Sequence, residues 1–273
     1  MTPLSPPHGR ADSAGKGPCP SYRRIREKLK RLPWRVAAPS FVLPARVADN
    51  CRFLDGWVDE VALLFLETRA CLDYGPDDLP PDLAGLDLDY HVHLPLDLPW
   101  DAGTGPALDA VLALAGKAAY LSPRAFVLHP PPDLGLLPAV AERWRTDGPA
   151  APLLLENTAL HGPDALAGPA RAAGLGLCLD LGHCLAYGRG LAAPVVDLGP
   201  VAMLHLSAPG RQSGADEHLP LDRLTPRGRG LLRDWLTRLS PGATLCVEVF
   251  SVDGFFSSLD CLAGWAAEWG FAR

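Results

Sequence analysis

His91 and His93, His129, Glu156, Asp180 with His183, His205 and Glu248 stand at or just past the ends of short apolar runs. The runs read Asp89-Tyr90-His91-Val92-His93, Phe126-Val127-Leu128-His129, Leu153-Leu154-Leu155-Glu156, Cys178-Leu179-Asp180-Leu181-Gly182-His183, Met203-Leu204-His205-Leu206 and Cys246-Val247-Glu248. A charged segment, Asp216-Glu217-His218, follows the seventh run. Asp, Glu and His make up 39 of 273 residues, so one at the end of six consecutive runs is not an accident of composition. Singly, each has a plainer use: His129 as a core histidine, Asp180 as a helix cap, Glu156-Asn157-Thr158 as a turn, residues 216–218 as solvated charge. Jointly they set a physical problem. Three carboxylates in one low-dielectric mouth repel one another and take up protons unless something compensates. Divalent cations compensate them and employ the imidazoles as well. His91 and His93 share one strand face; His93 is taken as the ligand and His91 as an outer-shell or substrate-facing neighbour. Glu67 ends the second run in the same layer and receives the same expectation.

The elements that would position these groups recur. From Trp34 onward the chain repeats an apolar run, a polar or Pro/Gly turn and an amphipathic helix. The runs span 35–43, 60–66, 88–94, 125–128, 152–155, 175–181, 201–206 and 244–249. Apolar residues at successive positions suit strands buried on both faces, as in an all-parallel sheet. Helices are expected over 106–121 with Thr104 as cap, 136–145 opened by Asp133, 163–173 closed by Gly174, 226–239 and 257–269. Eight such units at roughly 30-residue spacing make a closed (β/α)8 barrel, a TIM barrel, in which functional residues gather at the carboxyl ends of strands. The longer seventh spacing leaves room for an active-site loop at 207–225. No glycine fingerprint for dinucleotides follows the first run.

Charge divides the chain. Residues 1–33 carry eight of the 25 Lys/Arg and two of the 31 Asp/Glu, leaving 17 basic against 29 acidic residues for 34–273. The first segment is expected to be a basic, largely disordered leader and the second a single catalytic domain. An acidic barrel repels polyanions, so nucleic acid is not the expected partner. Ser21-Tyr22-Arg23-Arg24 is followed by charges where an export signal needs apolar residues. With no span of ~20 apolar residues and seven cysteines lacking framework spacing, a cytoplasmic protein is expected.

At these motifs the chain resembles the xylose-isomerase-like barrel superfamily, and within it the branch of endonuclease IV, the apurinic-site phosphodiesterase. The resemblance covers residues 34–273 and implies three cations. His93, His129 and Glu156 match the first cation's set. Glu156 would bridge to the second, completed by Asp180, His205 and Glu248; His183, Asp216 and His218 match the third. The Asp-x-x-His at 180–183 and Asp-x-His at 216–218 discriminate this branch from the sugar isomerases, which keep the Glu156, Asp180, His205 and Glu248 positions for one ion. More closely, His91-x-His93 with the following Leu-Pro-Leu-Asp-Leu-Pro, Glu156-Asn157-Thr158, Asp180 to His183, Asp216 to Leu221 and Glu248-Val249-Phe250 look like the cobamide-remodelling phosphodiesterases. That family hydrolyses the phosphodiester of the cobamide nucleotide loop to cobinamide phosphate and an α-riboside.

The resemblance thus implies a small corrinoid substrate, two or three Zn2+ ions (Mn2+ or Fe2+ as alternatives) and Glu156 and Glu248 as the catalytic carboxylates. Three other readings stay open. A one-metal sugar isomerase or epimerase would use Glu156 and Glu248 as acid and base. A DNA-repair enzyme would need Arg/Lys lining the mouth. A corrinoid- or metal-binding module would need no chemistry at all.

Overall fold

The computed structural model describes residues 20–188, 201–210 and 218–272, with side chains from Arg24 onward. Eight strands form one closed sheet in chain order: β1 (Arg35–Pro39), β2 (Glu60–Leu64), β3 (Asp89–His93), β4 (Phe126–Leu128), β5 (Leu153–Glu156), β6 (Gly176–Asp180), β7 (Val201–Leu206) and β8 (Thr244–Val247). Every pairing is parallel, and β1 closes the ring by pairing with β8. The expected TIM barrel is the observed fold.

Strand periodicity sorts the side chains into two layers. Val61, Leu63, Phe126, Leu128, Leu153, Leu155, Leu177, Leu179, Leu204 and Leu245 point outward and form the main core with the helices. The alternate positions, among them Ala37, Ala62, Val127, Leu154, Cys178, Met203 and Cys246, fill the barrel interior as two smaller clusters. His129, Glu156, Asp180, His205 and Glu248 each lie two residues beyond one of these interior residues. The two-residue repeat therefore aims them inward at the carboxyl end.

Helices α1 (Pro20–Leu29), α2 (Val47–Leu54), α3 (Thr68–Leu72), α4 (Thr104–Ala118), α5 (Leu137–Asp147), α6 (Pro163–Ala173), α7 (Leu181–Tyr187), α8 (Pro226–Arg238) and α9 (Val252–Glu268) surround the sheet. The limits of α6 are those expected, with Gly174 in the left-handed region at φ 72°. Thr104 is the first residue of α4, not its cap; Gly103 holds the cap position at φ 106°. Asp133 caps a 3-10 turn (Leu134–Leu136), accepting from Gly135 N at 2.8 Å, and α5 starts after it. The last helix begins at Val252 rather than 257. Strands stop sooner than the apolar runs: β1 at Pro39 instead of 43, β2 at Leu64 instead of 66, β8 at Val247 instead of 249. The surplus apolar residues continue into the rim, where Val42 and Val249 are buried and Leu66 is exposed.

Residues 1–19 of the expected leader lie outside the described residues. In its last part, residues 20–29 are helical, and Ile25 and Leu29, four apart, bury one face while Arg26 pairs with Asp59 at 2.7 Å. Among the described residues, no helix is long and apolar enough to cross a membrane.

Candidate metal centre

Glu156 ends β5 and stands at the middle of the cup, with 1% of its surface exposed. Its oxygens face different partners. Oε2 lies 2.8 Å from His93 Nε2 and 3.3 Å from His129 Nε2. Oε1 lies 3.2 Å from His205 Nδ1 and 3.7 Å from His183 Nδ1. Glu248 Oε2 is 3.2 Å from the same His205 nitrogen and 3.4 Å from His218 Nε2. The barrel register produces this convergence, since Glu156 pairs with Cys178, Asp180 with His205, and His205 with Cys246.

Asp180 is held rigidly at the junction of β6 and α7. Its Oδ1 caps the helix by accepting from His183 N at 2.5 Å. Asn157 ties the neighbouring strand end to it: Asp180 N donates to Asn157 Oδ1 at 2.8 Å, and Asn157 Nδ2 donates to Asp180 O at 3.1 Å. His183 Nδ1 in turn donates to Asn157 O at 2.8 Å, so its Nε2 carries the lone pair. Gly182 permits the close packing; a Cβ there would overlap Ser207 Oγ.

The ligand atoms gather into groups that could each hold a cation. His93, His129 and Glu156 form one; Glu156, Asp180, His205 and Glu248 a second; Asp180, His183 and His218 a third, and His93, His205 and Glu248 also meet, with ligand atoms within 4.8 Å of one another in every group. Eight of the nine sequence-predicted ligands are thus brought together. The ninth, Asp216, lies outside the described residues. His91 is fully buried deeper in the barrel and grouped with His205 and Cys246. Glu67 sits exposed at the cap position of α3 and belongs to none of these groups.

Opposite charges face one another across the cup. Burial opposes ionisation of Glu156, but His205 and His129 more than offset it and hold the carboxyl well below its usual range. Glu248 behaves alike, with His205 and His218 overcoming burial. Burial likewise disfavours charge on His205, yet Cys178, Glu248 and Glu156 raise it well above the ordinary imidazole value. Asp180 goes the other way: burial, then repulsion from Glu156 and Glu248 against the opposing His183, raises it. Its Oδ2 is buried with no hydrogen-bond partner among the described residues, a cost that a coordinated cation would remove. The mixed imidazole and carboxylate donors suit Zn2+.

Sequence reasoning missed Asn157, which locks β5 to β6, and Glu60, whose carboxylate is entirely buried beneath the cup. The first had a signal in its place directly after Glu156. The second had almost none, since Glu60 opens its apolar run and reads as a strand boundary.

No family model and no curated protein matches the chain. Solved structures do. A D-tagatose 3-epimerase-like protein aligns at 16% identity over 86% of this chain and 98% of its own, with a TM-score of 0.69. Endonuclease IV from Thermus thermophilus aligns at 19% identity over 86% of this chain and 99% of its own, with a TM-score of 0.67. The TTHB071 protein from the same organism, in crystals soaked with ZnCl2, aligns at 25% identity over 87% and 99% of the two chains, with a TM-score of 0.61. The chain shares its (β/α)8-barrel fold with these proteins.

Proposed function

We propose that this chain is a metal-dependent phosphodiesterase that cleaves the nucleotide-loop phosphodiester of cobamides, giving cobinamide phosphate and an α-riboside. The observation that carries the reading is the division of Glu156 between two histidine sets, with His183 and His218 forming a further group around Asp180. A one-ion site has no need of that third group. When bound, divalent cations supply Lewis acidity to phosphoryl oxygens and lower a water's pKa to roughly 7. The chain's own residues hold and orient: Glu156 and Glu248 fix the imidazoles around them, and Asn157 keeps Asp180 and His183 in register.

The rim supports an apolar substrate. Four of the five exposed large hydrophobic residues among those described, Leu66, Leu96, Leu160 and Phe250, follow the carboxyl ends of β2, β3, β5 and β8. Phe250 packs on His218 with ring centroids 5.0 Å apart. A corrinoid offers a broad apolar macrocycle beside one phosphodiester, whereas duplex DNA would call for a basic rim. The cobamide itself rests on the sequence motifs around His93, Glu156 and His183.

A sugar isomerase or epimerase is the second reading, because Glu156, Asp180, His205 and Glu248 alone suffice for one ion. The test is incubation of zinc-loaded protein with a complete cobamide, an abasic-site duplex and a ketose, with products identified by mass spectrometry. Cobinamide phosphate is the expected product. Turnover of the duplex or ketose alone overturns the proposal.

A further inference from the structure

Beneath the cup, the barrel interior holds a second polar layer around Glu60 and His91. Glu60 opens β2 with its carboxylate fully buried. Arg35 Nε and Thr244 Oγ1 both donate to its Oε2 at 3.1 Å. The other oxygen, Oε1, lies 2.6 Å from His91 Nδ1. Two donors already face the carboxylate, which stays ionised, so the proton of this contact belongs to the imidazole. His91 Nδ1 is therefore N–H and its Nε2 is a bare lone pair.

That lone pair has nothing to accept. Among the described residues, His91 Nε2 is buried without a hydrogen-bond partner, and so is Nε2 of His205. The two rings lie nearly parallel, 29° apart with centroids 6.5 Å from one another, and a ring nitrogen of each falls within 4.8 Å of the other and of Cys246 Sγ. His205 presents Nδ1 to Glu156 and Glu248. A cation in the cup would need a lone pair on that nitrogen, which would leave the His205 proton on Nε2.

We propose that Glu60 and His91 are positioning residues that set the tautomer of His205: Glu60 fixes the proton on His91 Nδ1, and His91 Nε2 accepts the proton of His205 Nε2. The proposal rests on the reading that the cup binds cations and extends it one layer inward. Metal-ligating histidines characteristically donate their second N–H to a carboxylate or other acceptor. Here the carboxylate acts through an intervening imidazole. Thiols of Cys178 and Cys246 also approach His205, but sulfur is the weaker acceptor.

The test is zinc affinity of the full chain, by competition with a chromophoric chelator, without any substrate. His91→Phe keeps a ring of similar size and removes the acceptor; zinc should bind about 10- to 100-fold more weakly. His91→Gln restores an acceptor oxygen and should recover part of that loss. In Glu60→Gln, Arg35 and Thr244 take the amide oxygen, leaving the amide N–H2 aimed at His91. The wire is then reversed and zinc affinity should fall as well, which tests the pair even if His91→Phe fails to fold. In zinc-loaded protein, the ring N–H proton of His205 should resonate downfield as a hydrogen-bonded proton and shift upfield in His91→Phe. Unchanged zinc affinity and an unchanged His205 proton in both His91→Phe and Glu60→Gln overturn the proposal. So does weakening caused by Cys178→Ala or Cys246→Ala with His91→Phe silent. A thiolate-to-metal charge-transfer band in cobalt-loaded protein, lost in Cys246→Ser, also overturns it by placing a cation among the three side chains. Because no substrate enters these measurements, their failure leaves the cobamide assay standing on its own.

Discussion

His205 Nδ1 stands 3.2 Å from Glu156 Oε1, while the second oxygen of the same carboxylate is held at 2.8 Å by His93. One carboxylate thereby joins the two halves of the cup, and its loss should be felt by both. Glu156→Gln keeps the shape and removes the charge. Phosphodiester turnover should drop by more than the ~10- to 100-fold that outer-shell changes cost, together with loss of more than one cation per chain, read by metal analysis and steady-state rates on a single preparation.

His183 and His218 separate the two functional readings. They form a group with Asp180 that the four-residue set of Glu156, Asp180, His205 and Glu248 does not require. His183→Ala and His218→Ala should each remove a single cation and lower phosphodiester turnover by about 100-fold or more. Undiminished turnover with wild-type metal content would argue for the one-ion reading.

Glu60 makes the fold sensitive to acid. Burial works against its charge, but the hydrogen bond from His91, followed by the hydrogen bond and charge of Arg35, holds the carboxyl below its ordinary value. An unfolded glutamate titrates near about 4.3. The folded value is lower, so the stabilisation is complete above that pH and disappears as the pH falls through the folded value. Glu60→Ala breaks a buried pair and should cost about 3–5 kcal/mol at neutral pH. Urea unfolding across the acid range should show a shallower pH dependence for Glu60→Gln than for the native chain, and parallel curves would refute the assignment.

Much of this was legible in the sequence, and the reason is the two-residue repeat of a buried strand. An acid or histidine that ends an apolar run has a direction as well as a position, so His93, His129, Glu156, Asp180, His205 and Glu248 could be assigned to one mouth. Helix starts were less legible. Thr104 has the chemistry of a cap, yet a glycine at φ 106° holds that position, and Asp133 caps a 3-10 turn ahead of α5 rather than α5 itself, because the loop's path decides where helical backbone begins. Helix α1 was hidden for another reason: its apolar face consists of Ile25 and Leu29 among charged residues, too small a stripe to stand out.

Close packing around Asp180 gives a stability prediction. A methyl group on residue 182 would overlap Ser207 Oγ and meet Asp180 Oδ1 at 3.2 Å. Gly182→Ala should lower stability by about 1–3 kcal/mol and loosen zinc. Adding Ser207→Ala removes the nearer clash and should return most of the loss; thermal unfolding of the double variant decides whether the clash is the cause.

Phe250 and Leu96, both exposed on the rim, should matter for a large substrate only. Phe250→Ala is expected to raise KM for a cobamide about 10-fold with kcat nearly unchanged, the pattern of lost uniform binding. A small diester such as bis(p-nitrophenyl) phosphate should show no such change. Equal effects on both substrates would remove the rim from recognition.

The measurement closest to the central claim is the number of zinc ions that the native chain retains after exhaustive dialysis, counted by mass spectrometry of the folded protein. Two or three ions per chain, falling when His183 or His218 is replaced, is the predicted result. One ion per chain, indifferent to those two histidines, would contradict the account.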